Sequence, residues 1–133
     1  MKAIIEQMFE KKNWAVLGAT PTTSKFGYKI FKKLKNCQFN VVPVNPRYEA
    51  VDEVPCISDL KNQSSIDVVN IVVAPDLAIS ALQDIVESGI EYVWFQPGTY
   101  NQEVLDRAQA LGLKIVYGYC VLVELGDLPF CPL

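Results

Sequence analysis

No histidine occurs anywhere in the 133 residues. Whatever the fold, this removes Ser-His and Cys-His dyads, histidine general bases, phosphohistidine chemistry and histidine-built metal sites. Cysteine is sparse: Cys37, Cys56, Cys120 and Cys131 include no Cys-x-x-Cys pair. Without that spacing no metal site is expected, and four reduced thiols are the expectation for a protein inside a cell. No apolar run reaches the roughly 18 to 20 residues that a membrane span needs. The amino terminus also lacks the basic start, apolar stretch and small-residue cleavage site of a secretory leader. The chain is therefore expected to be soluble and cytoplasmic, with no membrane partner.

Basic residues are scarce beyond position 47. Residues 48–133 hold only Lys61, Arg107 and Lys114 against thirteen acidic residues, whereas residues 1–47 hold nine basic residues against Glu6 and Glu10. A formal charge of −3 thus hides a basic first third and an acidic remainder. Such a split marks an anion-binding region, although Lys29, Lys32, Lys33 and Lys35 equally fit the wet face of one helix. Nucleic acid is a poor fit, because no basic helix carries base-reading side chains and the total charge is negative.

What is present is an alternation of short apolar runs with helical patterns. Residues 14–17, 40–44, 68–73, 92–95 and 114–116 are rich in Val, Ile and aromatics without polar alternation, as strands covered on both faces are. Between them, Leu77, Ala78, Ala81, Leu82, Ile85 and Val86 form one face of a helix over 76–88, with Pro75 at its start and Gly89 at its end. Val104, Leu105, Ala108 and Leu111 do the same over 102–111, with Asn101 as cap and Gly112 as stop. Tyr28, Phe31 and Leu34 give a lysine-rich helix its inner face, and Ile4, Ile5, Met8 and Phe9 predict one more helix before the first strand. A short turn of helix is expected after Ser58. Strands alternating with helices imply right-handed crossovers. The expectation is one α/β domain over residues 1–133, a three-layer Rossmann-like unit with a five-stranded parallel sheet.

Ligands of such sheets bind beyond the carboxyl ends of the strands, so the segments after each strand spell the candidate site. After the first come Gly18, Ala19 and Thr20, then the hydroxyls of Thr22, Thr23 and Ser24, and Lys25 at the start of a helix. Helix amino termini attract phosphate, yet this loop is neither G-x-G-x-x-G nor a Walker A loop, and a polar connector reads the same way. After the second strand, where an NAD site commonly places an acid, stand Asn45, Pro46 and Arg47. A cation there suits a ligand with an extra ribose phosphate, or is a plain surface arginine.

The order Val16-Leu17-Gly18-Ala19-Thr20, Val42-Pro43-Val44-Asn45-Pro46, Asp67-Val68-Val69, Trp94-Phe95-Gln96-Pro97-Gly98 and a late Cys120 followed by Glu124 resembles the small stand-alone CoA-binding proteins. These are a Rossmann family related to the nucleotide-binding domain of succinyl-CoA synthetase α subunits, and the resemblance covers roughly residues 12–125. Two departures stand out: Asp52 or Glu53 replaces the family's usual glycine, and Pro97 lies within the Gln-x-Gly signature. The resemblance implies CoA or another phosphorylated adenosine nucleotide as ligand. Gly18, Ala19 and Thr20 would line its pyrophosphate and Lys25 would reach a phosphate. Asn45, Pro46 and Arg47 would flank the ribose phosphate, Ala74 and Pro75 would pack on adenine, and Gln96 and Gly98 would border the pantetheine path. Trp94 reads as core. Cys120 is either a buried inert thiol or a partner for the CoA thiol in a mixed disulfide.

Three functions remain open from the sequence. The first is a binding module without catalytic residues of its own, acting with a protein partner that the sequence does not identify. The second is an enzyme, as an acyl-CoA ligase relative or an NADP-linked oxidoreductase. Succinyl-CoA synthetases use a phosphorylated histidine, which this chain lacks, and an oxidoreductase would have only Tyr100, Tyr117, Tyr119 and Cys120 as proton donors. The third is a redox or nucleotide sensor, for which Cys120 and the exposed-looking Pro129-Phe130-Cys131-Pro132 speak.

Overall fold

The computed structural model describes residues 1–131, and Pro132 lies outside them. Five parallel strands form the main sheet: β1 (Asn13–Leu17), β2 (Asn40–Val44), β5 (Val68–Ile71), β6 (Tyr92–Phe95) and β7 (Lys114–Val116), in the order β2-β1-β5-β6-β7. Consecutive strands of this sheet are joined through helices α2 (Phe26–Asn36), α3 (Pro75–Glu87) and α4 (Gln102–Ala110) or, between β2 and β5, through a small hairpin. Strand order reverses next to β1, and that reversal opens a crevice between the loops after β1 and β5.

Alternation along each strand builds two cores. Trp14, Val16, Val68, Trp94 and Val116 face α2, α1 (Lys2–Phe9) and a five-residue helix α5 (Val121–Leu125), all within one buried cluster. Ala15, Val69, Ile71, Val93, Phe95 and Ile115 face α3 and α4 on the opposite side. The three layers expected from the sequence are therefore present. Trp94 is fully buried, and its indole N–H donates to the Tyr119 carbonyl at 2.9 Å, which removes the cost of burying that donor. Trp14 is treated alike by the Lys11 carbonyl at 3.0 Å. The Asn101 side chain accepts from the Val104 amide at 2.9 Å, as an N-cap should.

Four features depart from expectation. No helix forms after Ser58; residues 45–66 carry instead a hairpin of β3 (Ala50–Val51) and β4 (Val54–Pro55), whose two-residue turn holds Asp52 at φ 48° and Glu53 at φ 68°. Positive φ at both central residues is the geometry that matches hairpin twist; beyond Ser58 the chain runs through turns instead, with the Asp59 carboxylate accepting from the Lys61 amide at 2.9 Å and Asn62 at φ 58°. The inner face of α2 includes the fully buried Ile30 beside Phe31 and Leu34, while Tyr28 is only half-buried. β5 ends at Ile71 rather than at Val73. Finally, the four thiols are not all reduced: Cys37, at the carboxyl end of α2, is disulfide-bonded to Cys131 across a separation of 94 residues. No spacing motif signals such a pair, because the fold alone brings its members together.

Leu82 is fully buried between α3 and the sheet. Leu82→Ala is expected to destabilise the domain by about 2–5 kcal/mol, the usual cost of a cavity left by a core leucine. Urea denaturation followed by circular dichroism checks this, and a loss under 1 kcal/mol would contradict the packing described.

Candidate functional site

The crevice at the strand-order reversal is a cavity of about 810 Å³. Its floor comes from the strand ends, through Leu17, Val44, Val72 and Val73, and its walls from the loops that follow β1, β2 and β5. A smaller surface hollow of about 210 Å³ lies at Lys61, Asn62, Asp84 and Glu87, without an apolar floor.

Close backbone approach creates the larger site. Gly18 leaves β1 with φ 102°, and a Cβ there would come within 2.9 Å of both the Val72 carbonyl oxygen and the Val73 side chain. Gly27, in the first turn of α2, faces Gly18 so closely that a Cβ on it would overlap the Gly18 carbonyl oxygen. Two glycines therefore let α2 begin directly on the end of β1. The first amides of α2 have no acceptor within the helix and bear the positive end of its dipole. Lys25 immediately precedes them with extended backbone and an exposed side chain.

Asn45 ties the two walls together. Its side-chain amide donates to the Ala19 carbonyl at 2.9 Å while its carbonyl oxygen accepts from the Arg47 amide, also at 2.9 Å. Thr20 is buried, and its hydroxyl oxygen accepts from the Thr22 amide at 3.2 Å, folding the loop before Lys25. Arg47 and Pro46 stand exposed on the facing wall.

Of the sequence-derived candidates, Gly18, Thr20, Lys25, Asn45, Pro46, Arg47 and Ala74 line this one cavity. Ala19 is buried beneath it with its carbonyl committed to Asn45. Pro75 opens α3 just outside the lining. Gln96 is turned inward: its carbonyl oxygen accepts from the Val121 amide at 2.8 Å and its amide donates to the Cys120 sulfur at 3.4 Å. Gln96 therefore anchors the amino end of α5. Gly98 and the half-buried Cys120 lie outside the cavity lining.

Sequence reasoning missed three large side chains on the rim. Phe26 is 58% exposed, Leu77 59% and Tyr48 36%, and all three line the cavity. For Phe26 and Tyr48 the signal was positional, since each directly follows a candidate cation, Lys25 or Arg47, whereas Leu77 was read from the sequence as part of the inner face of its helix. An apolar floor and an exposed apolar rim, with Lys25 and Arg47 on the walls between them, suit a ligand with both a flat apolar part and phosphates.

A family model described as a CoA binding domain matches residues 12–126. Among curated proteins, acetate–CoA ligase [ADP-forming] I of Archaeoglobus fulgidus is 29% identical over 128 residues, covering 88% of this chain but 19% of that one. The chain thus spans about a fifth of that ligase. "Uncharacterized protein YneT" of Bacillus subtilis is 23% identical over 124 residues and is matched over 92% of both chains. Among solved structures, a hypothetical protein from Pyrococcus horikoshii superposes with a TM-score of 0.85 at 33% identity, covering 92% of this chain and 87% of its own. A conserved hypothetical protein from Pyrococcus furiosus gives 0.81 at 30% identity, covering 86% and 99%.

The Gly18–Gly27 contact yields a sharp expectation. Gly27→Ala should push α2 off the end of β1 and lower stability by about 1–3 kcal/mol, the range for overpacking. Thermal unfolding checks it; a wild-type Tm in that variant would mean the helix does not seat where described.

Proposed function

The chain belongs to the CoA-binding domain family, and from that membership we propose that residues 1–133 act as one binding domain for coenzyme A or a closely related phosphorylated adenosine nucleotide. The observation that carries the reading is the convergence of Lys25, Arg47 and the amino terminus of α2 on one cavity with an apolar rim. Coenzyme A offers matching chemistry: a pyrophosphate, a ribose phosphate, a flat adenine and a long pantetheine arm. In this assignment the pyrophosphate lies against Gly18, Thr20 and the first turn of α2, with Lys25 on a phosphate oxygen. Arg47 meets the ribose phosphate, held by the backbone bond that Asn45 makes to it. Adenine rests near Ala74 and Pro75 beside Leu77. The pantetheine arm leaves the cavity; Gln96 serves it from below by fixing α5 rather than by contact.

The domain is proposed to hold its ligand without catalysis of its own. The acyl-activating steps in the names of the ligase relatives need more than the segment that matches, which is 19% of one and 28% of another. The 133 residues also provide no histidine for a phosphorylated intermediate. Any chemistry on the bound thiol would fall to a protein partner. Among the described residues no helix is long and apolar enough to cross a membrane. A cytoplasmic location is part of the proposal, where the Cys37–Cys131 pair would meet reducing conditions.

Calorimetry should give CoA roughly a tenfold advantage over dephospho-CoA, the scale of one hydrogen-bonded charge pair. That advantage should shrink as salt rises, because Lys25 and Arg47 are exposed and screened. Lys25→Ala should weaken CoA by a similar factor while leaving Tm nearly unchanged. Equal affinities for the two ligands would remove the ribose-phosphate assignment.

The purified chain should also form no acyl-CoA from acetate or succinate with CoA and a nucleoside triphosphate. Product detected by chromatography would overturn the non-catalytic reading.

A further inference from the structure

Among the described residues, the hairpin turn is the one place where two adjacent residues with side chains both sit at positive φ, Asp52 at 48° and Glu53 at 68°. Aspartate tolerates this region better than most residues, but glutamate there is uncommon, and such a conformation persists only where its surroundings hold it. The surroundings are on α2. The Tyr28 hydroxyl donates to the Asp52 carboxylate at 2.9 Å, and the Lys32 ammonium lies 3.9 Å from the same oxygen. Tyr28 and Lys32 are four residues apart, so they stand one above the other on the helix and present a two-point grip. The bond to Asp52 is also the main cause that raises the Tyr28 phenol above its ordinary pKa, which marks the phenol as a committed donor.

The hairpin gripped in this way is continuous with the pocket wall. At its base, the Cys56 amide donates to Glu49 at 2.8 Å and the Asn45 amide donates to Ile57 at 3.0 Å. Residues 45–49, with Arg47 and Tyr48 facing the cavity, are thus strung between β2 and the hairpin. Val51, fully buried in the cluster that contains Ile30, Phe31 and Leu34, seats the body of the hairpin on the core, with the partly buried Val54 and Cys56 packed against the same cluster. Base and body are thus held to β2 and the core, while the turn at the outer edge is held by side chains of α2.

We propose that Asp52 is a positioning residue: by clasping Tyr28 and Lys32 it sets the hairpin, and with it the Arg47–Tyr48 wall, at a fixed angle to the amino terminus of α2. The two halves of the phosphate site belong to elements that β1 and β2 bring side by side at their carboxyl ends. Asn45 joins the loops at the bottom of the cleft, and the Asp52 clasp joins the same two elements at the outer edge. The consequence for ligand choice rests on the CoA reading above: the clasp controls how well Arg47 registers with a ribose phosphate, and leaves the pyrophosphate end at Gly18 and Lys25 untouched.

Tyr28→Phe, Asp52→Asn and Asp52→Gly, in the full chain, separate this from a turn that is merely tolerated. Asp52→Gly relieves the backbone yet removes the grip, so a purely conformational role predicts wild-type or slower exchange in the wall, whereas the clasp predicts loosening. Amide hydrogen exchange in the ligand-free protein should rise roughly two- to tenfold at Arg47 and Cys56, whose amides are bonded to Asn45 and Glu49, in Tyr28→Phe and Asp52→Gly. Exchange in β1 and β5 should not change. Asp52→Asn, which keeps a hydrogen-bond acceptor, should fall between these variants and wild type. In calorimetry the preference for CoA over dephospho-CoA should drop towards unity in the same two variants, while dephospho-CoA affinity stays within twofold of wild type. Unchanged exchange at Arg47 and Cys56 in both variants overturns the clasp. A wild-type chain that binds neither nucleotide overturns the CoA reading instead, and the ligand-free exchange still decides the clasp.

Discussion

The first turn of α2 rests on the carbonyl of Gly18 because Gly27 has no side chain to keep it away. Everything at the site inherits that contact. It aims the unpaired amides and the dipole of α2 at the end of β1, brings Lys25 to the mouth of the cavity, and leaves room beneath for the strand ends of β1 and β5. Gly18 supplies the other half, since its own backbone conformation clears Val72 and Val73 on the neighbouring strand.

Around that contact the chain spends its charge unevenly. The basic first third folds into α1, β1, α2 and β2, and so delivers Lys25 and Arg47 to the same cleft from opposite sides. Most of the remaining lysines of α2 do face water, but Lys32 has a second use in meeting Asp52 of the hairpin. The loops after β1 and β2 are joined by a side-chain-to-backbone bond from Asn45 to Ala19 rather than by an apolar seam. Such bonds fix loop geometry without filling the space a ligand needs. The apolar rim of Phe26, Tyr48 and Leu77 is left unburied at that opening.

The layered α/β fold was legible because period and length decide it: β2, β6 and β7 stand where their Val-, Ile- and aromatic-rich runs predicted. β5 stops at Ile71 because Val72 and Val73 turn to floor the cavity, a demand of the site that hydropathy does not encode. The hairpin was hidden by its turn, since Asp-Glu is not the Asn-Gly or Asp-Gly pair that announces positive φ, and its stabilising partners Tyr28 and Lys32 lie on another element. Much of the candidate site was readable from the rule that ligands meet strand carboxyl ends. Gln96 follows that rule in position yet points its amide at Cys120 and α5, because a buried polar side chain must satisfy itself before it serves a ligand. The Cys37–Cys131 pair was invisible for a related reason: its members meet only after the last helix has folded back on α2.

The proposed place of coenzyme A is the cavity beyond the carboxyl ends of β1, β2 and β5. Backbone amide shifts followed while CoA is titrated into the labelled protein test this most directly. The largest changes are predicted at Gly18, Thr20, Phe26, Gly27, Arg47 and Leu77, which surround one cavity. Shifts confined to residues outside that cavity, such as Gly98 and Cys120, or no shifts at millimolar CoA, would contradict it.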